Sequence, residues 1–255
     1  MNILIANDDG IEAKGIHELA AALAGEADIY ISAPHVQRSA AGHSITIGKP
    51  LKIKDVKFEN ARRALEVTGT PADCVKLGLR FLEHEGIGID MVYSGINHGG
   101  NLGTDTLYSG TVSAAIEGVL CGLPAVAVSV NDHEPRDFTY ACDLAVKTFR
   151  AACGRLDNRT VLNINVPNMP AEEVKGLRCT RLGIREYKEW FHPRCNETGE
   201  MEYWYKGEPV VYKSNNENID VIAMQNGYAS ITPLQYNLTN YELIDEIRNW
   251  NILDR

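Results

Sequence analysis

Two carboxylates, Asp8 and Asp9, stand directly behind the first apolar run, Met1-Asn2-Ile3-Leu4-Ile5-Ala6, in the segment Asn7-Asp8-Asp9-Gly10. A short apolar run of this kind predicts a buried strand. In an open α/β sheet, the loops beyond the carboxyl ends of the strands form the ligand crevice. Two carboxylates placed there repel each other unless something cationic lies between them. A hard divalent cation with oxygen ligands meets that need. The same residues could instead form a turn with an N-capping Asp ahead of a helix near Lys14.

Three further segments can meet Asp8 and Asp9 at that edge. Ser39 lies in the polar loop after a second strand, and Asn97 follows a strand at 90–94. Both offer neutral oxygen ligands. Two carboxylates, a hydroxyl and an amide carbonyl suit Mg²⁺, Mn²⁺ or Ca²⁺ better than Zn²⁺. Taken alone, Ser39 could serve only a turn hydrogen bond, and Asn97 only a left-handed backbone position. The third segment is Tyr108-Ser109-Gly110-Thr111-Val112-Ser113-Ala114-Ala115. Backbone N–H groups at a helix start, with Ser and Thr hydroxyls, bind phosphate. Ordinary capping accounts for one of these residues but not for all. No Lys follows the glycine, so this is not a Walker motif, and no G-x-G-x-x-G spacing follows a strand. A cation beside an anion-binding helix start points to phosphoryl chemistry. His43 and His98 border the same crevice as candidate proton donors, though polar loop histidines usually have no such role.

These residues need a scaffold that gathers loops at one edge. Strands are expected at 1–6, 28–34, 51–57, 64–68, 90–94, 125–130, 161–166 and 228–233. Helices are expected at 14–23, from Thr70 to about Glu83, from Thr111 to Gly122, at 139–153 and at 239–250. Thr70 caps the second helix, with Pro71 at its first position. Strand–helix alternation implies a mostly parallel sheet covered on both faces, an α/β core over about residues 1–170.

The pattern changes in about residues 171–255. From 178 to 213 it predicts strand, turn, strand, with Asn196-Glu197-Thr198-Gly199 as the turn. Tyr187, Trp190, Phe191, Tyr203, Trp204, Tyr205 and Tyr212 fall there. A long two-stranded ribbon is marginal alone and needs a surface for those rings, either a partner subunit or its own domain.

Composition narrows the function classes. The 255 residues fit one large domain, or one domain with an appended subdomain. Net charge is −9, and no stretch concentrates Lys and Arg, so no footprint for duplex nucleic acid exists. No apolar run reaches about 18 residues, so no membrane span is expected. The N-terminal run is too short for a signal peptide. The six cysteines form no C-x-x-C pair and are expected as reduced thiols of a cytoplasmic protein.

Taken together, Asn7-Asp8-Asp9-Gly10, Ser39, Gly69-Thr70-Pro71-Ala72-Asp73-Cys74, Ser94-Gly95-Ile96-Asn97, the 108–115 segment and Tyr228-Ala229-Ser230-Ile231-Thr232-Pro233-Leu234 resemble the SurE family of bacterial and archaeal survival-protein nucleotidases. The resemblance runs almost end to end, over a single domain spanning 1–255, and implies a Rossmann-like three-layer α/β core. It implies a phosphatase acting on nucleoside 5′- and 3′-monophosphates, with short polyphosphate attacked by some members. It implies one divalent ion per subunit, Mg²⁺ or Mn²⁺, held by Asp8, Asp9, Ser39 and Asn97. Asp8 and Asp9 are then also catalytic, and Asn97, Ser109, Gly110 and Thr111 bind substrate phosphate. It further implies a homodimer or homotetramer that exchanges the C-terminal hairpin and helix. The nucleophile, metal-bound water or the Asp8 carboxylate, stays open, with water the favoured reading. A haloacid-dehalogenase-type phosphatase needs Asp where Gly10 stands. A receiver module needs half the length and a buried strand, whereas Lys52 and Lys54 flank Asp55.

Overall fold

The computed structural model describes residues 1–255 except 136, 189, 190, 206, 212, 213, 251 and 253–255. Trp190 and Tyr212 of the aromatic ribbon therefore lie outside the described residues. The chain runs through β1 (Asn2–Ala6), α1 (Lys14–Leu23), β2 (Asp28–Pro34), β3 (Ile53–Val56), β4 (Arg63–Val67), α2 (Pro71–His84) and β5 (Met91–His98). It continues through α3 (Gly110–Leu120), β6 (Ala125–Val130), α4 (Thr139–Ala152), β7 (Val161–Val166) and β8 (Leu177–Cys179). Four short strands follow: β9 (Tyr187–Lys188), β10 (Phe191–Cys195), β11 (Met201–Tyr205) and β12 (Glu208–Pro209). Helix α5 (Asp220–Gln225), strand β13 (Ala229–Leu234) and helix α6 (Tyr241–Arg248) complete it.

Nine strands form one sheet in the order β3-β4-β2-β1-β5-β6-β7-β13-β8. The six from β4 to β7 are mutually parallel. β3 and β13 each pair antiparallel with a neighbour, β4 and β7 respectively. The chain leaves β1 on one side for β2 and later returns on its other side as β5. The β1/β5 boundary is thus the switch point, where a crevice opens beyond the strand ends.

Side-chain alternation builds the layers. Ile3, Ile5, Ile31 and Tyr93 face α1 and α4, packing on Ile16, Leu19, Leu144 and Phe149. Leu4, Leu65, Val67 and Val92 face α2 and α3, packing on Val75, Leu82, Val112 and Val119. Both faces are covered, so the strands read as continuous apolar runs. Thr70 caps α2 in a reciprocal box: its hydroxyl accepts the Asp73 N–H, and the Asp73 carboxylate accepts the Thr70 N–H.

The structure differs from expectation in three places. β5 runs on to His98, through a bulge: Ser94 pairs with Ala127 but Asn97 with Ser129, so β5 carries one extra residue. A 3-10 segment at Gly103–Leu107 and helix α5 were not anticipated. Six residues are too few for periodicity to show α5. Its stability is tertiary: the buried Asp220 carboxylate accepts the Gly103 and Gly183 N–H groups, each at 2.7 Å. The ribbon is realised as the antiparallel pair β10–β11, with β9–β12 beside it. No helix among the described residues is long and apolar enough to cross a membrane.

The layers predict a sharp contrast between two isoleucines. Ile5 is fully buried, whereas Ile47 is 81% exposed. Ile5→Ala lowers stability by about 2–5 kcal/mol, and Ile47→Ala changes it by less than about 0.5 kcal/mol. Urea unfolding midpoints at constant slope measure both.

Candidate active site at the β1/β5 switch point

Asp8 follows β1 and is 7% exposed. Its Oδ1 accepts the Thr111 hydroxyl at 2.5 Å. Burial pushes its carboxyl up to about 6; the Thr111 hydroxyl and backbone N–H oppose that rise, and the Asp9 charge adds to it. Gly110 makes the approach of α3 sterically feasible. A Cβ on Gly110 would stand 2.7 Å from the Asp8 Cβ and 2.8 Å from Oδ2. Helix α3 therefore aims its electropositive end at a carboxylate of the protein itself.

Asp9 is braced from two sides. Its Oδ1 accepts from Gln37 Nε2 at 3.0 Å, and its Oδ2 accepts the His98 N–H at 3.0 Å. Asn97 is buried, and its Nδ2 donates to the Gly99 carbonyl at 2.7 Å. Its amide nitrogen is thereby committed, and Oδ1 is the atom suited to a cation. Asn7 closes the turn before the carboxylates, Nδ2 donating to the Gly10 carbonyl at 2.8 Å. The loop after β2 is docked by the Arg38 N–H, which donates to the Asp8 carbonyl at 2.7 Å. Ser39 is the next residue and is exposed. Asp8, Asp9, Asn97, Gly110 and Thr111 thus converge on one edge, with Ser39 on the adjoining loop. The donors are all oxygen, two of them carboxylate, which fits a hard divalent cation.

Ser109 takes the capping role: its Oγ accepts the Val112 N–H at 3.0 Å. The Ser113 hydroxyl donates to the Ser109 carbonyl at 2.6 Å. The Thr111 hydroxyl is directed at Asp8, so its first effect is to orient that carboxylate.

The two crevice histidines differ: the His43 ring is hydrogen-bonded, whereas His98 Nε2 is buried without a hydrogen bond. His43 Nε2 lies 2.9 Å from Glu117 Oε2, and Lys76 Nζ lies 2.9 Å from Oε1 of the same carboxylate. Glu117 is 2% exposed. Burial opposes its charge, but His43 and Lys76 hold its carboxyl below the usual range. His43 ties the 35–48 loop to α3. A lone acid inside the apolar stretch Ala115-Ile116-Glu117-Gly118-Val119 was the available signal for that tie. His98 contributes its backbone N–H to Asp9, and its ring tilts against Phe138.

The fold and the site together define a Rossmann-like α/β protein whose switch-point crevice is lined by hard oxygen donors and closed by a helix start. The chain belongs to the SurE family: the model described as "Survival protein SurE" matches residues 3–189. A protein of Pelotomaculum thermopropionicum named "5'-nucleotidase SurE" is 47% identical, over 97% of this chain and 94% of its own. A protein of Heliobacterium modesticaldum with the same name is 45% identical, over 98% and 92%. The crystal structure of the SurE protein from Aquifex aeolicus superposes with a TM-score of 0.85 at 37% identity, covering 97% of this chain and 98% of that one.

The same loop that carries Ser39 is anchored at Asp73. Burial favours the neutral acid, but the Thr46 hydroxyl and N–H and the Thr70 groups hold the Asp73 carboxyl below its usual value. A depressed folded value stabilises the fold above the unfolded value near 3.8 and loses that stabilisation as pH falls through the folded one. Asp73→Asn therefore costs about 1–2 kcal/mol at pH 7. The difference from wild type narrows below about pH 4, as thermal midpoints across pH 2.5–7 measure.

Proposed function

We propose that this protein is a divalent-metal-dependent phosphomonoesterase that hydrolyses nucleoside 5′- and 3′-monophosphates, with short polyphosphate as a further substrate. One observation carries the reading: the buried Asp8 carboxylate, beside Asp9 and Asn97, is held against the start of α3 by Thr111 and Gly110. The full-length similarity to proteins named 5'-nucleotidase SurE supports the same substrate class. Asp8, Asp9, Ser39 and Asn97 would hold one Mg²⁺ or Mn²⁺ per subunit. When bound, that ion supplies Lewis-acid polarisation of phosphoryl oxygens and a lowered pKa for an attacking water.

The chain's own residues prepare the reaction. Thr111 fixes the Asp8 carboxylate by donating to Oδ1. That donation draws electron density from the oxygen and supports water, not Asp8, as nucleophile. Gln37 and the His98 N–H fix Asp9 in the same way. Ser109, Gly110 and Thr111 line the rim where the substrate phosphate meets the helix start. The six free thiols support a reducing, cytoplasmic setting.

Residues of about 171–255 act in assembly, as a homodimer or homotetramer with exchanged hairpin and C-terminal helix. Phe191, Tyr203, Trp204 and Tyr205 on β10–β11 are exposed, as is Leu243 on α6. Aromatic area of that kind on a two-stranded ribbon marks an interaction surface.

Phosphate release from AMP, GMP, UMP and a 3′-monophosphate, with and without Mg²⁺ or Mn²⁺, tests the activity. Release is expected only with metal, and Asp8→Asn reduces it at least about 100-fold. No release from folded, metal-supplied wild type would overturn the reading. For assembly, Tyr203→Glu with Trp204→Glu is expected to lower the mass in sedimentation velocity. An unchanged mass would place the interface elsewhere.

A further inference from the structure

A phosphate dianion entering this crevice meets two carboxylates in a protein of net charge −9. Cations of the chain must offset that field. Lys76 is paired to Glu117, and Arg185 lies 3.3 Å from Asp105. Arg38 is different. Its backbone is fixed at the site by the 2.7 Å bond to the Asp8 carbonyl, between Gln37, which holds Asp9, and Ser39. Among the described residues no carboxylate pairs with its guanidinium. Its Nε is buried and makes no hydrogen bond. The charge lies near enough to the first turn of α2 to oppose the upward push of burial on the Cys74 thiol.

A buried guanidinium nitrogen without an acceptor is costly, and an anion removes that cost. Arginine presents a planar fork that matches two phosphoryl oxygens. We propose that Arg38 is a phosphate-binding residue of this site, its guanidinium taking the non-bridging oxygens of the phosphomonoester dianion. The proposal rests on the phosphomonoesterase reading above. It adds a contact that does not depend on the nucleobase, so it applies equally to a base-free sugar phosphate.

The experiment is calorimetric titration of inorganic phosphate into Mn²⁺-loaded wild type, Arg38→Gln, Arg38→Lys and Arg38→Ala. Thermal midpoint and Mn²⁺ affinity are measured on each. Arg38→Gln keeps the side-chain stem and is expected to bind phosphate at least about tenfold more weakly. Arg38→Lys is expected in between, because it keeps the charge and loses the fork. The midpoint stays within about 2 °C of wild type, and Mn²⁺ affinity within about twofold. Added guanidinium ion restores part of the phosphate affinity to Arg38→Ala. Phosphate binding by Arg38→Gln at wild-type strength overturns the proposal. So does a parallel fall in midpoint and Mn²⁺ affinity, which marks a merely structural arginine. Wild type that binds phosphate through Arg38 but releases none from nucleotides supports the contact and overturns only the nucleotidase reading. Wild type that binds no phosphate overturns the Arg38 contact, and the nucleotidase reading then stands or falls by release from nucleotides.

Discussion

The Asp8 carboxylate is buried at the mouth of a helix, and the rest of the crevice is arranged around that constraint. Moving a charge out of water costs several kcal/mol unless charges and hydrogen bonds replace the solvent. Here the replacement comes from α3: a hydroxyl and an N–H of Thr111, and the electropositive helix end behind them. The approach is close enough that only glycine fits at 110. The helix must therefore begin at this point and in this direction. Ser109 caps it, and Ser113 ties its first turn. The 103–107 segment that delivers it is pinned through Gly103 to Asp220. Asp220 is thus linked to a carboxylate near the N-terminus, through its own carboxylate on Gly103 N–H and the Thr111 hydroxyl on Asp8.

The opposition that remains is useful. Asp8 and Asp9 repel, burial favours a neutral Asp8, and no cation of the chain pairs with either carboxylate among the described residues. Hydrogen bonds from Gln37 and His98 orient Asp9 without neutralising it. The crevice stores an electrostatic deficit of the kind that a cation offsets. By contrast, Glu117, also buried, is compensated by His43 and Lys76 and serves to hold a loop. The difference between these two acids is the difference between a site and a strut.

Much of this was legible in the residues. Apolar runs marked the parallel strands, and the box Thr70-Pro71-Ala72-Asp73 marked the start of α2, because both signals are local. The position of Asp8 and Asp9 beyond a strand end followed from the same logic. What stayed hidden depends on distant partners. Helix α5 is too short to show a period and exists through Asp220. The start of α3 looked like an open anion cradle, whereas its Thr111 groups face Asp8. His43 looked like a free crevice histidine until Glu117, 74 residues away, was placed beside it. Arg38 carried no motif of its own; its backbone bond to Asp8 is a tertiary fact.

The bulge in β5 sets which layer the Asn97 side chain faces. Side chains alternate along a strand, so without an extra residue Asn97 would share a face with Met91 and Tyr93, in the α1/α4 layer. The extra residue between Ser94 and Asn97 instead puts Ile96 in that layer, where it is fully buried. Asn97 is turned to the opposite layer, on the side where α3 begins. Close backbone approach holds the kink from α1 on one face and from the neighbouring strand β6. A Cβ at Gly15 would stand 1.9 Å from the Ile96 carbonyl oxygen, and one at Gly95 would stand 2.3 Å from that of Val128. Two glycines far apart in sequence therefore serve one purpose, to let the sheet break its period where a polar side chain must change faces. The cost of that local irregularity is offset by the burial of Ile96 and by the ordinary pairing that resumes at Asn97 and His98.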